Sequence, residues 1–321
     1  MIDLSETSTV ETLSNLPIWN SGEKPNKSEI AGESNMNLVL RIATNHRLVI
    51  LKQSKPYVRK FPQIPAPIDR IMVEKKFYSL MESDPVLSSF SPKVYHYDPE
   101  NYILLIEDLG KVVDFMEIYS KGFSLSESII AQLAVYLNAL HSLKVSSFPE
   151  NLEMKRLNHI HIFNFPFEEE NGFDLDTIQP GLQALSLTYK RDNKLKKVTQ
   201  NLGEKYLATG KTLIHGDFYP TSWLQVGKEI RIIDPEFGFM GDPEFDLGVL
   251  FAHFKLSRQA DSLKSDFLKK YKNSYSEAKI NKYEAIEIMR RLIGIAQLPL
   301  QLNLSEKEEL LESASHQLVN S

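Results

Sequence analysis

The hydrophobic pattern of this chain changes period part-way along, and that change limits the folds open to it. Up to about Ile106 the apolar runs are short and strand-like. "NLVLRIAT" and "RLVILKQ" flank a turn around Asn45, which predicts an antiparallel hairpin, and "YILLIE" closes the region. Between them, the proline-rich "FPQIPAPID" is expected to be loop, and Asp69 to cap the helix "RIMVEKKFYSLM". Beyond this region the period is helical. Ser126 opens "ESIIAQLAVYLNALHSL", where Ile130, Leu133, Leu137 and Leu140 share one face. "VTQNLGEKYLATGK", "EFDLGVLFAHFKLS", "SDFLKKYKNSYSE" and "KYEAIEIMRRLIGIAQLPLQL" read as further helical stretches. The expected fold is α+β, with a small antiparallel-sheet N-lobe over residues 1–106 and a larger, mainly helical C-lobe over 107–321.

One short stretch interrupts the helices. In "LIHGDFYPTSWLQVGKEIRIIDPEF", two short apolar strands turn at Gly227–Lys228, with Asp217 before them and Asp234 and Glu236 after. A hairpin brings its outer ends together, so these carboxylates are expected to be neighbours. Carboxylates held close repel unless something positive lies among them, and magnesium is the cation that takes oxygen ligands while leaving positions for phosphate. Residues two apart in an extended segment face the same side, which would aim Asp234 and Glu236 at one metal region.

Composition narrows the partners. The 321 residues are long enough for a core that needs no staples, and a net charge of −5 gives no sign of a nucleic-acid or membrane-surface partner. The absence of cysteine removes thiol nucleophiles, disulfides and cysteine-ligated zinc together. No apolar run approaches the roughly 20 residues of a membrane span. The opening "MIDLSETSTVETLSN" shows no basic region followed by an apolar run, so a cytoplasmic protein without a signal peptide is expected.

At "HGD", His215–Asp217, the chain resembles the aminoglycoside phosphotransferase and choline kinase superfamily, which is similar in fold to protein kinases. Within it, "IIDPEFGFMGDPEFDLG", "NMNLVL", "KQSKPYVRK", "HIFNFPF" and "MRRLIGIAQ" resemble segments of the methylthioribose kinase family, from about Gly32 to about Gln297. The resemblance implies a two-lobed, protein-kinase-like fold that uses ATP and Mg2+ to phosphorylate a small-molecule hydroxyl. It points to 5-methylthioribose at its anomeric hydroxyl. An aminoglycoside, choline or other small alcohol is the alternative acceptor, and a nucleotide-binding pseudokinase the alternative outside catalysis. A homodimer is implied on the same ground alone.

The resemblance also assigns roles. Asp217 would accept or orient the acceptor proton, and Arg290 and Arg291 would contact the substrate and the transition state. Asp234 and Glu236 would hold the metal. Ser222 stands where aminoglycoside phosphotransferases place asparagine, and its hydroxyl would bind a magnesium-bound water or a phosphate oxygen. The loop "GESNMN", with Asn35 and Asn37, would lie over the ATP phosphates, Ser34 replacing a family glycine and Glu33 an aspartate. Glu107, in "IEDLG", belongs to the expected hinge.

Lys52 is read physically as well. A lysine ending a strand usually lies in water. Yet Glu74 shares an apolar helical stripe with Ile71, Tyr78 and Met81, where a carboxylate is costly unless paired. A Lys52–Glu74 ion pair resolves that cost and fits the kinase pattern of a phosphate-binding lysine. His215 is expected to hold its loop, and Asp246 to cap the next helix and accept loop amides. His159 and His161 alternate in a strand-like stretch, but with no third ligand evident they are not read as a zinc site.

Overall fold

Apolar alternation builds the first part of the molecule. The computed structural model describes residues 1–32 and 34–320. Strands Pro25–Ile30, Leu38–Thr44, Leu48–Gln53, Ile103–Glu107 and Val94–Asp98 form one antiparallel sheet in that spatial order. In Leu38–Thr44 every second side chain is buried, whereas Leu48–Gln53, in the middle of the sheet, is buried on both faces after its first residue. One face is covered by the chain's own beginning: Leu4, Leu13, Leu16 and Ile18 pack on Leu38, Leu40, Ile42, Leu51 and Leu105. The helix Arg70–Glu82 buries Ile71, Glu74, Tyr78 and Met81 as its stripe predicts.

The chain divides into two compact units, residues 1–113 with 224–238, and residues 114–223 with 239–321. The acidic hairpin, expected in the second lobe, therefore groups with the sheet. Backbone and side chains tie it there. Ile232 donates its N–H to the Phe90 carbonyl at 2.7 Å, and the turn Pro235–Phe237 packs on the helix Arg70–Glu82.

The second unit is largely helical. Its centre is the helix Pro243–Leu256, buried on almost every side, packed against Glu277–Ile293. Gly248 allows that approach: a Cβ there would stand 2.5 Å from the Cβ of Tyr283. The C-terminal helix Leu304–Asn320 covers Glu277–Ile293 in turn. Thr212–Ile214 pairs antiparallel with Phe239–Gly241, a short ladder that leads directly into His215.

Several local expectations are corrected. Phe61–Pro65 is a short strand paired with Tyr57–Val58, because proline is tolerated where a two-stranded ladder leaves an open edge. Asp69 stands at the N-cap position but makes no side-chain capping bond. Ser126 does cap, accepting from the Ile129 amide. His159 ends the helix Leu152–His159 and His161 lies in a π-helical turn, Ile160–Asn164, so neither is in a strand; two alternating residues are too few to define a period. The stretch after Leu292 is not helical beyond Ile293, where Gly294 and then Pro299 interrupt it. The helix of "SDFLKKYKNSYSE" likewise stops at Lys270. Among the described residues, no helix is long and apolar enough to cross a membrane.

Candidate active site

Lys52 lies in the central strand, its neighbours across the sheet being Val39 and Leu104. That register buries its side chain, where an ammonium needs partners in place of bulk solvent. Two carboxylates take that place. Lys52 Nζ is 2.6 Å from Glu74 Oε1 and is also hydrogen-bonded to Asp234. Burial works against the charge, but Asp234 and Glu74 outweigh it and hold the ammonium well above its ordinary range. The expected Lys52–Glu74 contact is present, and Asp234 joins it.

Asp234 and Glu236 are not brought together by extended chain. Asp234 is left-handed, with φ +62°, its N–H donating to the Tyr78 hydroxyl at 3.2 Å, and Pro235–Phe237 is a single 3₁₀ turn. Aspartate is among the few residues that take this conformation. The Asp234 side chain is 45% exposed, so one edge is held by Lys52 while the group still meets solvent. Glu236 is buried, 3.2 Å from Arg70 Nε and 2.9 Å from Asn37 Nδ2. Burial pushes its carboxyl up to about 7; Arg70 opposes this, and the charges of Glu74 and Asp234 add to it.

Arg70, which carries no motif signal, organises this region. Its fully buried guanidinium donates to the carbonyls of Met36, Lys55 and Pro67, each at 2.7 Å, and to Asn37 Oδ1 at 3.0 Å. Asn37 is thus committed to holding Glu236 and Arg70. Asn35 is exposed, with its carbonyl accepting from the Lys60 amide. The expectation for Glu33 lies outside the described residues. Glu107 ends its strand and accepts from the Lys93 amide; the next residue, Asp108, takes a bidentate bond from Arg41 at 2.8 and 2.9 Å.

In the second unit the strand Thr212–Ile214 delivers His215, Gly216 and Asp217. Asp246 clamps this loop, accepting from the His215 amide at 2.7 Å and the Gly216 amide at 3.0 Å, with His141 Nε2 3.2 Å away. Asp246 lies inside the first turn of its helix, whose N-cap is Asp242, so it accepts loop amides but does not cap. Ser222 is buried and donates to the Asp217 carbonyl at 3.0 Å, closing the loop from the other side. The Asp217 carboxylate is 20% exposed and stands 4.0 Å from Arg291 Nη2. Burial raises its pKa, while Arg290 and Arg291 pull it back.

Arg290 and Arg291 are both buried at the end of their helix, where two adjacent arginines usually leave one in solvent and pack the stem of the other. Glu287, one turn earlier, receives Arg290 Nη1 at 3.0 Å and Arg291 Nε at 2.5 Å. Despite its burial, Glu287 is held well below the carboxylate range by Arg290 and Arg291. Arg291 also lies 4.7 Å over the Tyr219 ring. His253, 3.3 Å from Glu287, is pushed down to about 4 by burial and is neutral. Glu287 carries no motif, although its spacing to the arginines, i+3 and i+4, is legible in the sequence.

The model of the phosphotransferase enzyme family matches residues 39–281. The chain belongs to that family. It is 29% identical over 252 residues to methylthioribose kinase of Exiguobacterium sibiricum, covering 75% of this chain and 64% of that protein's length. Methylthioribose kinase of Geobacillus kaustophilus is 27% identical over 369 aligned residues, covering 98% of this chain and 90% of the relative. The structure of choline kinase LicA from Streptococcus pneumoniae superposes with a TM-score of 0.54 at 17% identity, over 92% of this chain and 94% of the other. That likeness establishes the shared protein-kinase-like fold of the phosphotransferase family.

Proposed function

We propose that this phosphotransferase moves the γ-phosphoryl group of ATP to a hydroxyl of a small neutral sugar, 5-methylthioribose at its anomeric position. The observation that carries the reading is the Asp217 carboxylate, largely buried and raised in pKa, standing 4.0 Å from a braced arginine. A carboxylate so placed accepts or orients the hydroxyl proton, and the neighbouring guanidinium groups neutralise the negative charge that develops as the hydroxyl attacks. Lys52, held by Glu74, is suited to the ATP phosphates. The names of the two relatives support the sugar, and so does charge: two arginines beside the acceptor acid would repel a polycationic aminoglycoside.

The donor set suits magnesium. Among the described residues no group of three or more histidines or acids gathers closely enough to hold a metal unaided. Magnesium commonly uses one or two protein carboxylates together with phosphate and water. Asp234 would hold it through the part of its carboxylate that meets solvent, with Glu236 beside it. When bound, the ion would supply neutralisation of phosphate charge. A cytoplasmic location and a homodimer complete the proposal; the first rests on the sequence and the second on family resemblance alone.

The test is the initial rate of ATP consumption with magnesium and, in turn, 5-methylthioribose, ribose, choline and kanamycin. Turnover with 5-methylthioribose above the other three is expected. Preference for kanamycin or choline would overturn the sugar assignment; no turnover with any acceptor, together with retained ATP binding, would favour the nucleotide-binding pseudokinase.

A further inference from the structure

Arginine next to a catalytic acid presents a problem of its own. A guanidinium and a carboxylate that can reach one another close to a charge-assisted hydrogen bond of about 2.7–2.9 Å. An acid locked in such a pair is a weaker proton acceptor, because the opposite charge stabilises its ionised form. Arg291 Nη2 instead stops 4.0 Å from Asp217 Oδ1, beyond hydrogen-bond length.

The surroundings of Arg291 explain the gap. Its Nε is drawn to Glu287 Oε1 at 2.5 Å, its Nη1 lies 3.4 Å from the Ala296 carbonyl, and its flat face rests on Tyr219. The other oxygen of Glu287 receives Arg290 Nη1, whose own Nε is buried without an acceptor. Glu287 is itself 1% exposed, and its neighbour His253 is fixed by the Tyr119 hydroxyl at 2.6 Å. The carboxylate therefore has little room to move, and neither do the arginines bonded to it.

We propose that Glu287 is a positioning residue for phosphoryl transfer: it competes with Asp217 for Arg291 and keeps the guanidinium near the acid without pairing to it. This rests on the function proposed above. Arg291 is then ready for the charge that develops on the acceptor, and Asp217 stays available for the proton. Without the brace, Arg291 would swing onto Asp217 and tie up both groups at once.

The experiment is a double-mutant cycle on kcat, with the wild-type rate on the preferred acceptor measured first. Glu287→Gln is expected to lower kcat by about tenfold or more while the KM for ATP stays within about twofold, since the brace acts on the transition state. In the Arg291→Ala background the same Glu287→Gln change should cost at least severalfold less, because only Arg290, on the other carboxylate oxygen, still depends on the brace. Equal losses in both backgrounds, or no loss in either, would overturn the proposal. If Glu287→Gln does not fold, Glu287→Asp keeps the charge, withdraws the carboxylate by one methylene and is read in the same cycle. A wild type that turns over no acceptor removes the functional reading and this inference together; turnover with an additive cycle removes the inference alone.

Discussion

The two units hold their buried cations in opposite ways. Around Lys52 the acids close directly on the charge, and the three members come from a strand, a helix and a distant turn. Around Arg291 the brace lies one turn away on the same helix, and the second acid, Asp217, is kept at 4.0 Å. The first arrangement fixes a charge; in the second, on the function proposed above, the acid is left free to take a proton. A tight ion pair suits a group whose task is to stay charged. A near miss suits a group that must take up a proton.

The largest test of that contrast removes Asp217. Asp217→Asn should lower kcat by about 10²–10⁴-fold, the usual worth of a positioned general base, with little change in ATP affinity. Near-normal turnover would place Asp217 among the structural acids and erase the difference between the units.

Lys52 should behave in the other manner, through stability as well as binding. Lys52→Met leaves Glu74 buried and unpaired, at a cost of about 1–3 kcal/mol in unfolding free energy. Adding Glu74→Leu should return part of that stability and none of the activity. Strict additivity in denaturant unfolding would mean that the pair is not coupled.

Glu236 gives a smaller effect with a defined sign. Its carboxyl is raised from the ordinary 4.5 to about 7, so the folded protein binds more protons than the unfolded chain between those values. The stability this contributes is full below about pH 4.5 and is lost as the pH rises through about 7. Glu236→Gln, which cannot ionise, should gain on the wild type by about 1–3 kcal/mol between pH 5 and pH 8. A constant difference between the two proteins across that range would show that the group is not raised.

The smallest effect concerns the far end of the helix that carries the brace. Ser276 accepts from the Lys279 amide at its N-terminus. Ser276→Ala should cost about 0.5–1 kcal/mol in thermal unfolding and leave kcat unchanged. A fall in kcat would show that the brace depends on the whole helix and not on its last turn.

What could be read in advance follows the same division between local and distant order. The Lys52–Glu74 contact was accessible because a helical stripe exposed the anomaly of a buried acid. The twin arginines stand out in the sequence; their brace carries no motif and is marked there only by its i+3 and i+4 spacing. Arg70 could not be found: its four acceptors come from residues 36, 37, 55 and 67, and only the folded chain assembles them. Two alternating histidines, at 159 and 161, are too few to set a strand period, and the prolines of Phe61–Pro65 do not exclude a ladder that needs few donors. The α+β division was legible throughout, since it rests on many apolar positions. The grouping of the hairpin with the sheet was not, since it rests on a few tertiary contacts.

The left-handed backbone of Asp234 gives that position two independent requirements that substitution can separate. Asparagine and glycine meet the backbone requirement and lose the charge; glutamate keeps the charge and resists the conformation. A saturation library at this one codon would therefore sort into three failing classes: one that folds without its anion, one that carries the anion on a strained turn, and one that lacks both.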